Sequence, residues 1–244
     1  MITTPVLRAA SLAGLALLLS STLVLGAPLR PPLLAQEGNA CLPTSAAMAL
    51  HSLGEPATAR DIARRLPFHK DGTDFFDLQE ELSRRGFATL MLTAGPKAIA
   101  AAVRSGYPVI AAVKAADSKH AVLVWDLGGT ESKPRLRYVD PRGGIHKDEG
   151  FSTFAKQQYA KQLLVIWHAS QPAEEQLAQA GFPLESAHRT NARFRAEALV
   201  LRAERHPEAN TQMLELLRRA VREDPSWQEA QTKLLEVQRV LAGP

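Results

Sequence analysis

HAVLVWDLGGTESKPRLRYVDP, residues 120–141, reads as two strands and the turn that joins them. HAVLVWDL (120–127) is a long apolar strand opened by a histidine, and RLRYVD (135–140) is a second strand closed by an aspartate. Between them GGTESKP (128–134) has the composition of a hairpin loop, and Pro141 stops the pairing because it has no N–H to give. In a hairpin the start of one strand lies beside the end of the other. His120 and Asp140 are therefore expected side by side at one end of the sheet.

Outward from this hairpin the hydrophobic period separates helices from strands. Toward the N-terminus a helix is expected from Pro43 to Leu53, stopped by Gly54. Thr58 caps a short one, ARDIARRL, ended by Pro67, and Asp74 or Thr73 caps FFDLQEELSRR, closed by Gly86. ATLML (88–92) then reads as a strand, GPKAIAAAVRSG as a helix bounded by glycines, and PVIAAVK (108–114) as a buried strand. After the hairpin come a short helix near FAKQQYA and a last strand, QLLVIWH (162–168). Helices first and a mainly antiparallel sheet afterwards make an α+β class. From about Gln171 the chain is helical, with apolar positions at three-four spacing in MLELLRRAV (213–221) and KLLEVQRVL (233–241). This all-α region weakly resembles tetratricopeptide repeats through Ala220 and Pro225, although Leu201 and Met213 stand where that repeat prefers Gly and Ala.

The chain has 244 residues, 45% hydrophobic and 22% charged, enough for one substantial core or two modest ones. The net charge of +4 comes largely from arginines such as those of RFRAEALVLRAER (193–205), which alternate with Glu at helical spacing as a solvated face does. No basic patch is interleaved with aromatics, so no nucleic-acid partner is expected. Residues 1–26 carry Arg8, the apolar run AASLAGLALLL (9–19) and small residues at Gly26 and Ala27, the pattern of a signal peptide. The uncharged stretch from Ala9 to Leu29 is also long enough to be a retained anchor. Either reading exports the working part to the periplasm or the outside, with membrane contact only through an uncleaved N-terminal segment. Residues 27–34 follow as a linker.

Cys41, in GNACLPTSAAMAL (38–50), is the only cysteine. It cannot form an intrachain disulfide, and the polar stretch RPPLLAQEGNA (30–40) separates it from the apolar run that a lipid anchor would need to follow. A thiol of ordinary pKa, about 8.5, is mostly protonated at neutral pH, so a nucleophilic cysteine needs that value lowered. A helix N-terminus does this, and Pro43 fits a first helical turn. A histidine held close does it too. Of the seven histidines only His120 opens a long apolar strand, whereas His51 lies too far along the helix of Cys41. As partner to His120, Asp126 is excluded by its place on the same strand, about 20 Å away by strand rise, and Asp117 stands in the AADSK loop. One cysteine and dispersed histidines give no metal-ligand spacing, and no cofactor is expected.

QEGNACLPTSAAMAL, HAVLVWDL and YVDPRGG, in this order and at these separations, resemble the papain-like cysteine peptidases of the bacteriocin-processing type. These are the double-glycine leader peptidases, peptidase family thirty-nine, and their stand-alone secreted relatives. The resemblance covers residues 34–168 and implies a papain-like peptidase fold over 35–169, followed by the helical region 170–244. It implies Cys41 as nucleophile, His120 as general base and then acid, Asp140 as the group that orients His120, and Gln36 as an oxyanion donor beside the Cys41 N–H. A peptide or protein substrate would follow. Two departures stand out: the transporter-fused members carry Asp-Cys-Gly where this chain has Ala40-Cys41-Leu42, and no transporter domain is visible. Leu42 would reshape the site and with it the double-glycine specificity. The same residues also suit a papain-like amidase or transglutaminase acting on cell-wall peptides. A catalytically silent scaffold that holds a protein partner through its C-terminal helices is the third reading.

Overall fold

The β-hairpin around which the chain organises forms as expected, and in a computed structural model its two strands sit inside a larger sheet. The structure describes residues 29–67, 73–93, 95–115, 118–205 and 211–242. The segment read as a signal peptide or anchor, most of the loop around His69, and Asp117 lie outside the described residues.

Three helices come first: α1 (Cys41–Ser52), α2 (Ala59–Ala63) and α3 (Phe75–Arg84). The caps read from sequence are present. Thr58 and Asp74 have extended backbone and accept from the N–H of Asp61 and Asp77, while Gly54 and Gly86 close α1 and α3 at positive φ. Then follow β1 (Phe87–Thr93), α4 (Pro96–Arg104), β2 (Val109–Ala115), β3 (Ser118–Thr130), β4 (Lys133–Asp140), β5 (Ile145–Gly150), α5 (Phe151–Gln157) and β6 (Gln158–His168). The sheet order is β1-β6-β2-β3-β4-β5, with every neighbouring pair antiparallel. The last strand thus enters between β1 and β2, and β3 lies between β2 and β4.

Period-two alternation sorts the sheet into two buried faces. Ile110, Ala112, Ala121, Leu123, Val139 and Leu164 face α1, α2 and α3. Val109, Val113, Val122, Val124, Tyr138 and Val165 face α4, α5 and α6 (Ala173–Gln179), where Phe154 and Leu177 are fully buried. The α+β class and the helix-on-sheet layout implied by the papain-like resemblance are therefore both present, with the cysteine-bearing helix on one face.

Five elements differ from the sequence expectation. Strands β3 and β4 consume most of the GGTESKP loop, leaving Glu131 and Ser132 as the turn between Thr130 and Lys133. Gly129 permits this: it has φ +80°, and a Cβ there would sit 2.4 Å from the Lys133 carbonyl oxygen. Strand β5 was not expected, because IHKDEG carries four charged or titratable residues in a row; it is an exposed edge strand, where such residues are tolerated. Helix α5 starts at Phe151, ahead of the expected FAKQQYA, and β6 starts at Gln158, within that segment and ahead of QLLVIWH.

The C-terminal helices are α6, α7 (Leu184–Glu204), α8 (Thr211–Glu223) and α9 (Gln228–Ala242). They are not detached from the sheet. Ala173, Leu177, Phe182 and Ala187 belong to the core on the α4 side. Helix α7 covers the edge of β1, where Asn191 Oδ1 accepts from the Met91 N–H at 3.0 Å and from Gln79 Nε2 at 2.8 Å. Beyond it α7, α8 and α9 pack around Phe76, Leu199 and Leu217, with Arg202 and Arg195 over the Phe76 ring. Among the described residues no helix is long and apolar enough to cross a membrane.

Candidate active site

Helix α1 begins without a cap. The chain enters it through a turn in which the Ala40 N–H donates to the Glu37 carbonyl, and Ala40 has φ −87°, ψ 30° and no side chain that could accept a hydrogen bond. Pro43 has no N–H of its own, so the N–H groups of Cys41 and Leu42 are those left open at this helix end. Residues Ala46, Ala47 and Ala49 are small and fully buried, which lets the helix backbone lie close against the sheet. Ser45 Oγ donates to the Ala121 carbonyl at 3.1 Å and ties the first turn of α1 to β3, one residue past His120. Cys41 is thereby set against the end of the hairpin that carries the histidine.

His120 and Asp140 are both buried and meet directly, with His120 Nε2 2.7 Å from Asp140 Oδ1. Continuing the β3–β4 register places Asp140 opposite Val122, so the two are diagonal rather than facing neighbours. Their polar ends still reach each other, as long side chains do across a diagonal. Asp140 has two further donors: the Arg142 N–H at 2.9 Å on Oδ1 and Lys147 Nζ at 2.9 Å on Oδ2. Asp126, excluded above by distance, is bound instead to Arg137 at 2.7 Å.

The electrostatics follow from these contacts. Burial pushes the Cys41 thiol up, but hydrogen bonds from His120 and from the Ala121 backbone, the imidazolium charge and the Leu42 N–H outweigh it, and the net shift is downward. Burial alone would lower His120; the hydrogen bond to Asp140 and then the hydrogen bond and charge of Cys41 reverse this and push it up to about 9. Asp140, raised by burial, is carried well below the usual carboxylate range by His120, Lys147 and the Arg142 N–H. The contacts hold His120 and Asp140 charged at neutral pH and shift Cys41 toward its thiolate form.

Gln36 is held by its backbone. Its N–H donates to the Pro141 carbonyl at 2.7 Å, which fixes it against the turn that follows Asp140. Gly144 in that turn has φ +61°, and a Cβ there would lie 3.0 Å from the Ala35 nitrogen, so YVDPRGG needs its second glycine to let this segment approach. The Gln36 side-chain amide donates to the Gly38 carbonyl at 2.5 Å, and its Oε1 is buried with no partner among the described residues. One of its two N–H groups is thus engaged within the entry turn.

The other described histidines have partners of their own, among them His188, whose Nε2 lies 3.3 Å from Glu174 Oε2. His51 Nε2 meets the Ala57 carbonyl at 2.9 Å, His168 Nε2 meets the Leu53 carbonyl at 3.0 Å, and His146 lies against Trp125. Leu42, next to Cys41, is buried in the core between α1 and the sheet. Among the described residues no cluster of His, Cys, Asp and Glu could hold a metal ion. A cavity of about 920 Å³ between α4, the β3–β4 turn and α6 lies on the sheet face opposite α1. The sequence reading missed Lys147 and the Ala121 and Arg142 backbone donors; the only sign of Lys147 was a pair of glycines before a charged run, a turn signal ahead of a strand.

No protein-family model matches the chain, and no curated protein matches it. Among solved structures it is similar to a double-glycine-motif protease from an AMS/PCAT transporter, crystallised in complex with the leader peptide. The identity is 15%, the match covers 58% of this chain and 93% of that one, and the TM-score is 0.47. It is also similar to the peptidase domain of Streptococcus ComA, a bifunctional ABC transporter involved in a quorum-sensing pathway, at 18% identity over 58% of this chain and 100% of that one, with a TM-score of 0.46.

Proposed function

We propose that the protein is an exported cysteine peptidase that cleaves peptide bonds with Cys41 as nucleophile, His120 as base and acid, and Asp140 as the group that orients His120. The observation that carries this reading is one buried imidazole bonded to both a carboxylate and the thiol at an uncapped helix N-terminus. With Nε2 on Asp140, Nδ1 is the nitrogen left for the sulfur. The residue pattern of segment 1–26 supports export.

The chemistry follows from the charge states. The Cys41 thiolate attacks the scissile carbonyl carbon, and the oxygen that becomes negative is stabilised by the Cys41 N–H, assisted by the second N–H of Gln36. The His120 imidazolium gives its proton to the leaving amine, and an acyl-thioester on Cys41 remains. His120, now neutral, takes a proton from water as that water attacks the thioester carbon. The acid product leaves, and the thiolate and imidazolium are restored.

Incubation with a peptide library and mass spectrometry tests the reading. Cleaved products from the wild type and none from Cys41→Ala are expected; joined products would make the enzyme a transferase. The alkaline limb of the rate should lie near pH 9, because His120 keeps its proton below that pH and loses it above. Asp140→Asn removes the charge that holds this proton, so the limb should move down toward the ordinary histidine value, about 6.5.

A further inference from the structure

Strand β5, absent from the sequence reading, places a cation on the face of the carboxylate that the histidine does not use. Asp140 Oδ1 receives His120 Nε2 and the Arg142 N–H, while Lys147 Nζ reaches Oδ2 at 2.9 Å. Lys147 pairs across the β4–β5 ladder with Tyr138, and its Nζ lies 6.0 Å from the centre of the Tyr138 ring. That ring is held in turn: the Tyr138 hydroxyl donates to Glu149 Oε1 at 2.9 Å, and Glu149 Oε2 accepts from Gln157 Nε2 of α5 at 3.3 Å. The ammonium is therefore located from two sides on an otherwise exposed edge strand.

We propose that Lys147 is a positioning residue of this site: it occupies Asp140 Oδ2, so that Oδ1 stays aimed at His120, and adds the positive charge that keeps Cys41 ionised on the acid side. This rests on the Cys41–His120 reading above and deepens it. The charged and titratable groups around Asp140 are His120 from β3, Lys147 from β5 and Tyr138 on its own strand, with Cys41 of α1 beyond the imidazole. Lys147 is a cation whose removal acts in one direction at the acid limb. With His120 already protonated, loss of a nearby positive charge makes the thiol harder to ionise, and a carboxylate freed to rotate supports the imidazolium less. Both raise the pH at which the thiolate forms.

The test is the pH profile of Cys41 alkylation by iodoacetamide, measured on the full chain with its thermal melting recorded in parallel. Lys147→Met should move the acid limb upward, slowing alkylation at pH 5 by roughly three- to tenfold, which is a shift of about half to one pH unit. Lys147→Arg, which keeps a cation and its donors, should restore the wild-type limb. A Lys147→Met profile that superimposes on the wild type, while His120→Ala flattens it, overturns the role of Lys147 and leaves the catalytic pair standing. Failure of Lys147→Arg to restore the limb overturns it as well, because packing rather than charge would then be responsible. A profile unchanged even by His120→Ala would remove the catalytic pair, and the role of Lys147 with it.

Discussion

Helices α1 and α3 pack on the same face of the sheet, yet they begin in opposite ways. At α3 the chain arrives extended, with Asp74 at φ −106°, ψ 164°, and its carboxylate accepts the Asp77 N–H at 2.8 Å. At α1 it arrives folded into a turn, with Ala40 at ψ 30° and no side-chain cap for the first N–H groups. The first arrangement stabilises a helix by about 1 kcal/mol. The second forgoes that stabilisation and leaves the same partial positive charge facing a sulfur and a site where an oxygen would become negative. Under the proposed function the donors at the start of α1 have chemistry to do, although α4, α5, α6 and α7 also begin without a side-chain cap.

The contrast can be broken most forcefully through the histidine. If His120 together with the open helix end keeps Cys41 ionised, His120→Ala should return it toward an ordinary thiol, whose thiolate fraction at pH 6 is below about 1%. Alkylation at pH 6 should then slow by an order of magnitude or more. An unchanged rate would mean that the helix end alone ionises the sulfur.

A smaller effect is expected at the capped helix. Asp74→Ala should cost about 1 kcal/mol in denaturant unfolding, by loss of its bond to the Asp77 N–H, and leave the alkylation profile of Cys41 untouched. A changed profile would show that the two helix starts are coupled. The smallest effect is expected from Ala40→Ser. A serine caps from extended backbone, which position 40 does not have, and the N–H it might reach at Pro43 does not exist. Its stability should stay within about 0.5 kcal/mol of the wild type; a gain near 1 kcal/mol would mean that the turn yields readily and that the free donors are not built in.

Much of this arrangement was legible in the sequence. Thr58, Asp74, Gly54 and Gly86 act within three or four residues of where they stand, and the hairpin brings His120 to Asp140 across twenty positions by a single pairing rule. Other parts were hidden for physical reasons. The charges of HKDE conceal β5 because an edge strand need not bury its side chains, and with β5 went Lys147. Asn191 gives no sign in sequence that it pairs with Met91 at the edge of β1, a hundred positions away.

By itself the sequence determined the kinds of chemistry available, namely one thiol without a disulfide partner, one histidine opening a strand and one aspartate closing the next, together with the local elements that hold them. Only the tertiary structure brings these groups into contact. The Cys41–His120 approach spans helices α1 to α4 and strands β1 and β2, and it depends on how closely an alanine-rich helix settles onto Ala121 and Leu123. It also decided that Lys147 backs Asp140 and that Gly144 admits the Gln36 segment. Periodicity and capping are short-range properties of a chain. The meeting of residues far apart in it is set by packing among all the layers at once, which no local pattern encodes.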